Sequence, residues 1–514
     1  MKIILISAAT FPSDQGIRTI SAVLKKAGHD VKIVFMAYSE DYSKFYHNRE
    51  LNQLVNICKN TDLIGINCYV STMPRAIQIT QFLKKKLKKE IPIVWGGIHP
   101  TLFPQDCIKY VNIVCVGDGE DAVLDLAKAI ENKKPIDKIQ NLWVRNKNGE
   151  IVKNPVRPFI DNLDILPFVD YDIENHYILE NHNLRKFKEE DLNGQIFFLT
   201  GRGCPYGCTY CSNNLLNELY KGKCKSIVRW HSVDYIIEHV LYLRKRFKTL
   251  SYFDIRDDTF SLRPLSQIQE FCEKYKEKVN MRFKCLGDPK TISEDKIKVL
   301  VDAGCTDIII GIQGNEKTNR DIYKRGQTNE QVLKAGKILS KYKNKLAVMY
   351  DVITCNPFED ANDVIDLIRL LQILPKPYYV SVNNLVFFPG TGIYERAKMN
   401  PKLKKIVEES SKLNYWDRNK HILLKRKDMY LVLILNLMRG SVTENRFGLM
   451  PNKLINYLLK PSRIKYNLKN PALTYIGLSF VSVMDLTRER IAKPLYRSTP
   501  VNFKVWYDKI RYRV

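Results

Sequence analysis

Three cysteines crowd one short stretch of this chain, Gly201-Arg202-Gly203-Cys204-Pro205-Tyr206-Gly207-Cys208-Thr209-Tyr210-Cys211, with three residues between the first pair and two between the second. Three thiolates on one short loop suit three corners of a cubane iron–sulfur cluster. With no fourth protein ligand, one iron stays open to a substrate or cofactor. The rival is zinc, whose structural sites take four protein ligands, usually as paired two-Cys knuckles. Cys224, thirteen residues on in Lys221-Gly222-Lys223-Cys224-Lys225, would complete such a closed set. The loop follows Ile196-Phe197-Phe198-Leu199-Thr200, an apolar run of strand character that ends in glycine. The carboxyl end of a strand is where α/β folds place their chemistry.

On these residues the chain resembles the radical S-adenosylmethionine (SAM) superfamily, whose signature is three cysteines at this spacing with an aromatic residue, here Tyr210, before the last. The resemblance implies a [4Fe–4S] cluster on Cys204, Cys208 and Cys211 whose open iron is chelated by SAM. It also implies reductive cleavage of the sulfonium to a 5′-deoxyadenosyl radical that takes hydrogen from unactivated carbon. No side-chain acid or base performs that step, so a cofactor must. An electron donor such as flavodoxin or ferredoxin is implied with it.

At 514 residues the chain accommodates two to four domains with full cores, and its 45% hydrophobic and 27% charged composition is that of a globular protein. Twelve scattered cysteines do not read as a disulfide framework, and three of them must stay reduced, so a cytoplasmic protein is expected. Met1 to Ser7 is expected as a buried first strand rather than a signal peptide. No window reaches the ~20 apolar residues of a membrane span. Tyr430 to Met438 is too short and is flanked by Lys425, Arg426, Lys427 and Arg439.

The formal charge of +27 is unevenly placed: from Pro401 onward, 24 Lys and Arg stand against 8 Asp and Glu, a surplus of +16. That asymmetry suggests an anionic partner, whether nucleic acid, phospholipid headgroups or a phosphorylated substrate. A merely solvated, lysine-rich surface is the alternative.

Residues 1–135 alternate apolar runs with helical spacing, which implies a doubly wound parallel sheet with its ligand at the strand carboxyl ends. Gly16-Ile17-Arg18, Ala27-Gly28-His29, Ser71-Thr72, Gly96-Gly97-Ile98-His99-Pro100-Thr101 and Gly117-Asp118-Gly119-Glu120 fall at the turns. Together they resemble the cobalamin-binding domain that precedes the radical domain in one branch of the superfamily. Ser71, Thr72, Gly96, Gly97, His99, Gly117, Gly119 and Glu120 are the contacts this resemblance implies. The chain has no Asp-x-His-x-x-Gly, the source of an axial histidine in cobalamin-dependent mutases, which implies a cobalt with no protein imidazole below it. His99, beside a proline, reads as a hydrogen-bonding backbone lock.

Residues 136–195 are expected as a connector: a hairpin at Asn148-Gly149, then a proline-containing extended strap. From 196 to 400 six further βα units imply the partial (β/α)6 barrel of the radical family, and 401–514 a mostly helical, basic region. At the barrel's strand ends, Asp257, then Asp258, is the candidate acidic contact to cofactor or substrate, with helix capping as the alternative. Lys284 and Asp288 qualify by position alone. Gly311-Ile312-Gln313-Gly314 resembles a Gly-Ile-Glu-Ser element that touches SAM; Gln313 keeps the hydrogen bonds but not the charge. Arg325 suits the methionine carboxylate, and Phe388-Pro389-Gly390-Thr391 resembles the turn beneath the adenine. Cys285, Cys305 and Cys355 read as small buried hydrophobes.

The expected function is cobalamin-dependent methylation of an unactivated carbon in a small-molecule or lipid substrate. Three rivals stand beside it. One is oxidative ring closure by the same parts. The second is methylthiolation of tRNA, for which Cys58, Cys68, Cys107 and Cys115 would have to supply an auxiliary cluster. The third is a non-catalytic metal module on nucleic acid. Leu431, Leu433, Leu435 and Leu437 would suit an interfacial helix, although a helix packed on the barrel fits them better.

Overall fold

The computed structural model describes residues 1–9, 12, 14–37, 45–412, 428–448 and 450–487, so Lys425, Arg426, Lys427 and the last part of the basic region lie outside the described residues. The described chain forms two compact units. One holds Met1–Leu192 with Ser212–Ser232; the other holds Asn193–Cys211 and the chain from Val233 onward.

The first unit is built on nine strands: β1 (Lys2–Ser7), β2 (Asp30–Phe35), β3 (Leu63–Asn67), β4 (Ile93–Gly96), β5 (Ile113–Cys115), β6 (Leu142–Arg145), β7 (Ile151–Lys153), β8 (Tyr177–Glu180) and β9 (Asn183–Lys186). Their order is β7-β6-β5-β4-β3-β1-β2-β8-β9. The central strands are parallel and buried on both faces, so they read as unbroken apolar runs rather than alternating ones; five of the six residues of β1 are buried. The strand order reverses between β1 and β3, where Ser7 and Asn67 are register partners. That crevice is where open α/β sheets take ligands.

Helix Gln15–Lys26 covers this sheet and ends at Gly28, whose φ of +88° suits the left-handed stop. Its Arg18 is fully buried. The guanidinium lies over Tyr171 at 4.0 Å and Phe35 at 4.7 Å and donates to the Pro12 and Asp170 carbonyls. Residues expected as a strap thus belong to this core. They place β6 and β7, joined through Gly149 (φ +85°), on one edge of the sheet and β8 and β9 on the other. The β6–β7 pair is the hairpin expected at Asn148-Gly149, while β8 and β9 are four residues long and carry charged side chains, as edge strands do, which hides them from a periodicity reading.

The second unit carries six parallel strands in sequential order, Gln195–Phe198, Tyr252–Ile255, Arg282–Gly287, Cys305–Gln313, Ala347–Thr354 and Tyr378–Asn384, followed by three short antiparallel ones. Helices between them complete six βα units. Alternate residues such as Phe253, Phe283, Ile308, Ile310, Val348 and Tyr350 are buried, and Cys285, Cys305 and Cys355 are buried with them. Helix Met429–Met438 is buried on nearly every side and packs against helices Ala361–Ile373 and Ala472–Thr487. No helix of the described residues is long and apolar enough to cross a membrane.

Candidate functional site

The cysteine loop is anchored at both ends. After the first strand, Thr200 and Gly201 donate their backbone N–H groups to Asp257 Oδ1 at 2.6 and 3.0 Å, and the Thr200 hydroxyl donates to the other oxygen. Arg263 Nη2 donates to the Thr200 carbonyl at 2.7 Å and lies 3.9 Å from Asp257. Burial outweighs these partners and pushes the Asp257 carboxyl up to about 6. Gly203 then turns the chain at φ +91°. At the far end, Thr209 N donates to the Tyr323 carbonyl at 3.0 Å, its hydroxyl to the Ile322 carbonyl at 2.7 Å, and its own carbonyl accepts from Ile393 N at 3.0 Å.

Arg325 ties this loop to two strand ends. Its guanidinium donates to Asp288 Oδ2 at 2.6 Å, to the Gly311 carbonyl at 3.2 Å, to Gln327 Oε1 at 3.0 Å and to Tyr210 Oη at 3.1 Å. One of its nitrogens also stands 3.8 Å from Cys208 Sγ. Gln313, at a strand irregularity with φ +68°, brings its amide so close to Gly311 that a β-carbon there would stand 2.6 Å from Nε2. The structure therefore brings Cys204, Cys208, Tyr210, Cys211, Gln313 and Arg325 into one region, while Asp257 is engaged with the backbone of the loop.

Cys208 is buried and Cys204 and Cys211 are partly so. Burial first, then Asp258 and the neighbouring thiols, pushes the Cys204 thiol up to about 12, so ligation must remove its proton. Tetrahedral zinc would draw thiolates to about 3.8 Å from one another. Among the described residues these three thiols do not form a group whose donor atoms all lie within 4.8 Å of one another. Cys224 is in the first unit, its thiol donating to the Tyr220 carbonyl.

One charged group on the strands was visible only in fragments. Asp254 Oδ2 pairs with Arg256 Nη2 at 2.7 Å and Lys284 Nζ at 2.8 Å. Burial raises the Asp351 carboxyl, opposed by a hydrogen bond with Ser381 and by the charges of Arg256 and Lys284. The signal was in the sequence: single charged residues inside otherwise apolar parallel strands.

In the first unit, Asp14 gathers the crevice between β1 and β3. Its carboxylate accepts from Ser7 Oγ at 2.9 Å, Asn67 Nδ2 at 2.5 Å and Tyr69 Oη at 3.2 Å. Ser71 and Thr72 follow at the end of β3, and Thr72 Oγ1 accepts from Tyr69 N at 2.9 Å. The turn glycines answer to the fold itself. A β-carbon at Gly97 (φ +101°) would fall 2.1 Å from Asn67 Oδ1, and one at Gly117 (φ +88°) 2.0 Å from Tyr220 Oη. Tyr220 Oη accepts from Asp118 N at 2.9 Å, and its ring stacks on Phe159 at 3.6 Å. Gly96 and Gly119 flank these turns, Glu120 is buried at the start of helix Glu120–Glu131, and His99 is buried beside Phe103. Tyr220 lies a hundred residues from the turn it supports, so no local signal announced it.

Family comparison matches residues 1–127 to the B12 binding domain and residues 198–371 to the Radical SAM superfamily. The chain belongs to the radical SAM superfamily, in the branch with an N-terminal B12-binding domain. An uncharacterized methyltransferase of Pyrococcus horikoshii is 24% identical over 385 residues, covering 74% of this chain and 77% of that protein. An anaerobic magnesium-protoporphyrin IX monomethyl ester cyclase of Synechocystis is 24% identical over 324 residues, covering 61% of this chain and 59% of that protein. The radical SAM methyltransferase TsrM of Kitasatospora setae, solved with cobalamin and a [4Fe–4S] cluster bound, shares the fold with a TM-score of 0.62 at 14% identity, over 77% of this chain and 78% of that one.

For this radical SAM chain the two domains imply cobalamin, a [4Fe–4S] cluster and SAM. The donor sets fit. Three loop thiols stand beside a guanidinium, and a polar crevice lies at the switch point of the B12-binding sheet. Cys58, Cys68, Cys107 and Cys115, the residues an auxiliary cluster of a methylthiotransferase would need, are all buried in the first unit.

Proposed function

We propose that this enzyme methylates an unactivated carbon of a small molecule or lipid by radical chemistry. The observation that carries the proposal is the three-thiol loop clamped by Arg325, on a chain that also has a B12-binding domain. Bound together, the cluster and SAM supply a carbon-radical initiator, and cobalamin supplies a methyl carrier. Cys204, Cys208 and Cys211 would hold the cluster. Tyr210, Gln313 and Arg325 would orient SAM, Arg325 through its fork and Gln313 through an uncharged amide. Asp257 acts on the loop backbone rather than on the cofactor. The Asp254, Arg256, Lys284 and Asp351 group offers polar contacts to a substrate. In the B12-binding unit, Ser71, Thr72, Gly96, Gly97, His99, Gly117, Gly119 and Glu120 remain the contacts proposed for cobalamin, joined now by Asn67 and Tyr69.

The test is anaerobic reconstitution with iron, sulfide and cobalamin, reduction by a flavodoxin- or ferredoxin-type donor, and assay of 5′-deoxyadenosine. Production is expected from the intact chain, and an undiminished yield from the Cys204, Cys208 and Cys211 triple alanine variant would overturn the proposal. Kinship with a cyclase supports ring closure as the second reading. Product mass separates them: methylation adds a methylene, ring closure removes two hydrogens.

The C-terminal surface supports contact with an anionic membrane by a cytoplasmic enzyme. Between Asn445 and Met484 there is no Asp or Glu, while Arg446, Lys453, Lys460, Arg463, Lys465 and Lys469 stand there. Leu454, Tyr457, Tyr466, Tyr475 and Ile476 are exposed on the same segment. Lysines with exposed aromatic and aliphatic side chains suit a headgroup layer. Sedimentation with phosphatidylserine vesicles but not phosphatidylcholine vesicles is expected. Equal sedimentation with both, or with neither, would refute it.

A further inference from the structure

A second set of metal-type donors lies in the first unit. Helix Asn48–Cys58 starts from His47, and its third residue, Glu50, is fully buried. Glu50 Oε2 accepts from His47 N at 2.6 Å, and Oε1 contacts His182 Nδ1. The His47 and His182 rings stand 5.6 Å apart between centroids. One donor atom from each of His47, Glu50 and His182 lies within 4.8 Å of the others, and among the described residues no other trio of His, Cys, Asp or Glu does so.

Two further observations give the trio weight. The first is where His182 sits. With Asn181 it makes the tight turn between β8 and β9, at φ +46° and +65°, a turn whose second position favours glycine. Histidine there carries a backbone cost of about 1 kcal/mol or more that glycine would avoid. In return it sets an imidazole against Glu50. The second is the burial of Glu50. A carboxylate with no exposed surface needs strong compensation, and its ion-pair partner among the described residues is His182, whose side chain is 50% exposed. A divalent cation would compensate it better than an imidazole.

We propose that His47, Glu50 and His182 bind a divalent transition-metal ion, zinc by the chemistry of two imidazoles and one carboxylate, with water completing the shell. Donors around such an ion stand about 3.3 Å apart. The trio, within 4.8 Å in this structure, would close to that spacing on binding the ion. The ion clips the start of the helix to the β8–β9 hairpin, where Arg49 Nη2 already donates to Asn183 Oδ1 at 2.8 Å, Gln53 Nε2 to the His182 carbonyl at 3.0 Å, and Leu184 N to Gln53 Oε1 at 2.9 Å. Its role is to fasten the edge of the sheet, independent of the radical chemistry.

The test uses the full chain with Cys204, Cys208 and Cys211 replaced by alanine, so that loop thiols do not take the metal. Zinc is titrated calorimetrically and cobalt(II) is followed by absorption. One saturable equivalent is expected, with cobalt d–d bands and no thiolate charge transfer. Glu50→Gln, which keeps an acceptor for His47 N, and His182→Asn, which tolerates the left-handed turn, should each weaken binding about tenfold or more while far-UV circular dichroism stays unchanged. Absence of a saturable equivalent, or unaltered affinity in both variants, would overturn the proposal.

Discussion

Removing the Arg325 guanidinium strands a buried charge. Asp288 has a side chain only 1% exposed and meets Arg325 at 2.6 Å. Arg325→Met leaves that carboxylate in place with Lys290 N, 2.9 Å away, as its remaining donor. Breaking a buried ion pair from one side costs about 3–5 kcal/mol. In a unit of this size each kcal/mol lowers Tm by about 2–4 °C, so the cluster-free protein should melt roughly 6–20 °C lower. Asp288→Asn removes the stranded charge while keeping the acceptor for Lys290 N. The double variant should therefore recover about 2 kcal/mol relative to the sum of the singles. Arg325→Lys keeps the charge but loses the fork to Tyr210, Gly311 and Gln327, and should cost about 1–3 kcal/mol. Calorimetry under anaerobic, reducing conditions measures all four variants against the wild type. Additivity within about 0.5 kcal/mol, or an Arg325→Met cost below about 1 kcal/mol, would refute the pairing. A separate functional arm follows from the proposed SAM contact: Arg325→Lys, loaded with cluster, should raise KM for SAM more than it lowers kcat for 5′-deoxyadenosine.

Other consequences can be checked as directly. Asp257 has a folded pKa raised to about 6 from 3.8, so the folded state holds its proton where the unfolded chain has lost it, and stability falls as pH rises from about 4 to about 6. Asp257→Asn abolishes that term. Its stability relative to wild type should improve by up to about 3 kcal/mol between pH 4 and pH 7, and a pH-independent difference in denaturation of the cluster-free protein would contradict this. Gly117→Ala combines a left-handed φ with a 2.0 Å clash against Tyr220 and should cost about 2 kcal/mol or more, with reduced cobalamin uptake in equilibrium dialysis. Tyr220→Phe strips the acceptor from Asp118 N and should cost about 1–2 kcal/mol in the same unit.

The inner strands of both sheets were legible as apolar runs, Ile3 to Ile6 in a strand buried on both faces and Ile308 to Ile310 in a strand where Ile308 and Ile310 are buried and Ile309 less so. The cysteine loop was legible because its ligands are adjacent in sequence. What escaped reading depends on distant partners. Asp257 looked like a cofactor contact from its place at a strand end, yet its oxygens are met by Thr200 and Gly201, more than fifty residues upstream. Gly97 and Gly117 were legible as turn glycines, but the neighbours that make glycine necessary there, Asn67 and Tyr220, were not. The β6–β7 hairpin was legible from Asn148-Gly149, whereas β8 and β9 were obscured because four residues cannot establish a period.

Arg18 carries a consequence for how the protein can be dissected. A fragment ended near residue 135, at the edge of the recognisable B12-binding sequence, would keep this arginine while discarding Tyr171 and the Asp170 carbonyl that enclose it. β2 would lose β8 and gain an open edge. The smallest piece of the first unit fit for expression and cobalamin titration therefore runs to about residue 192 and must be supplied with 212–232. A cation in the first helix, rather than the end of a motif, sets where the scissors can go.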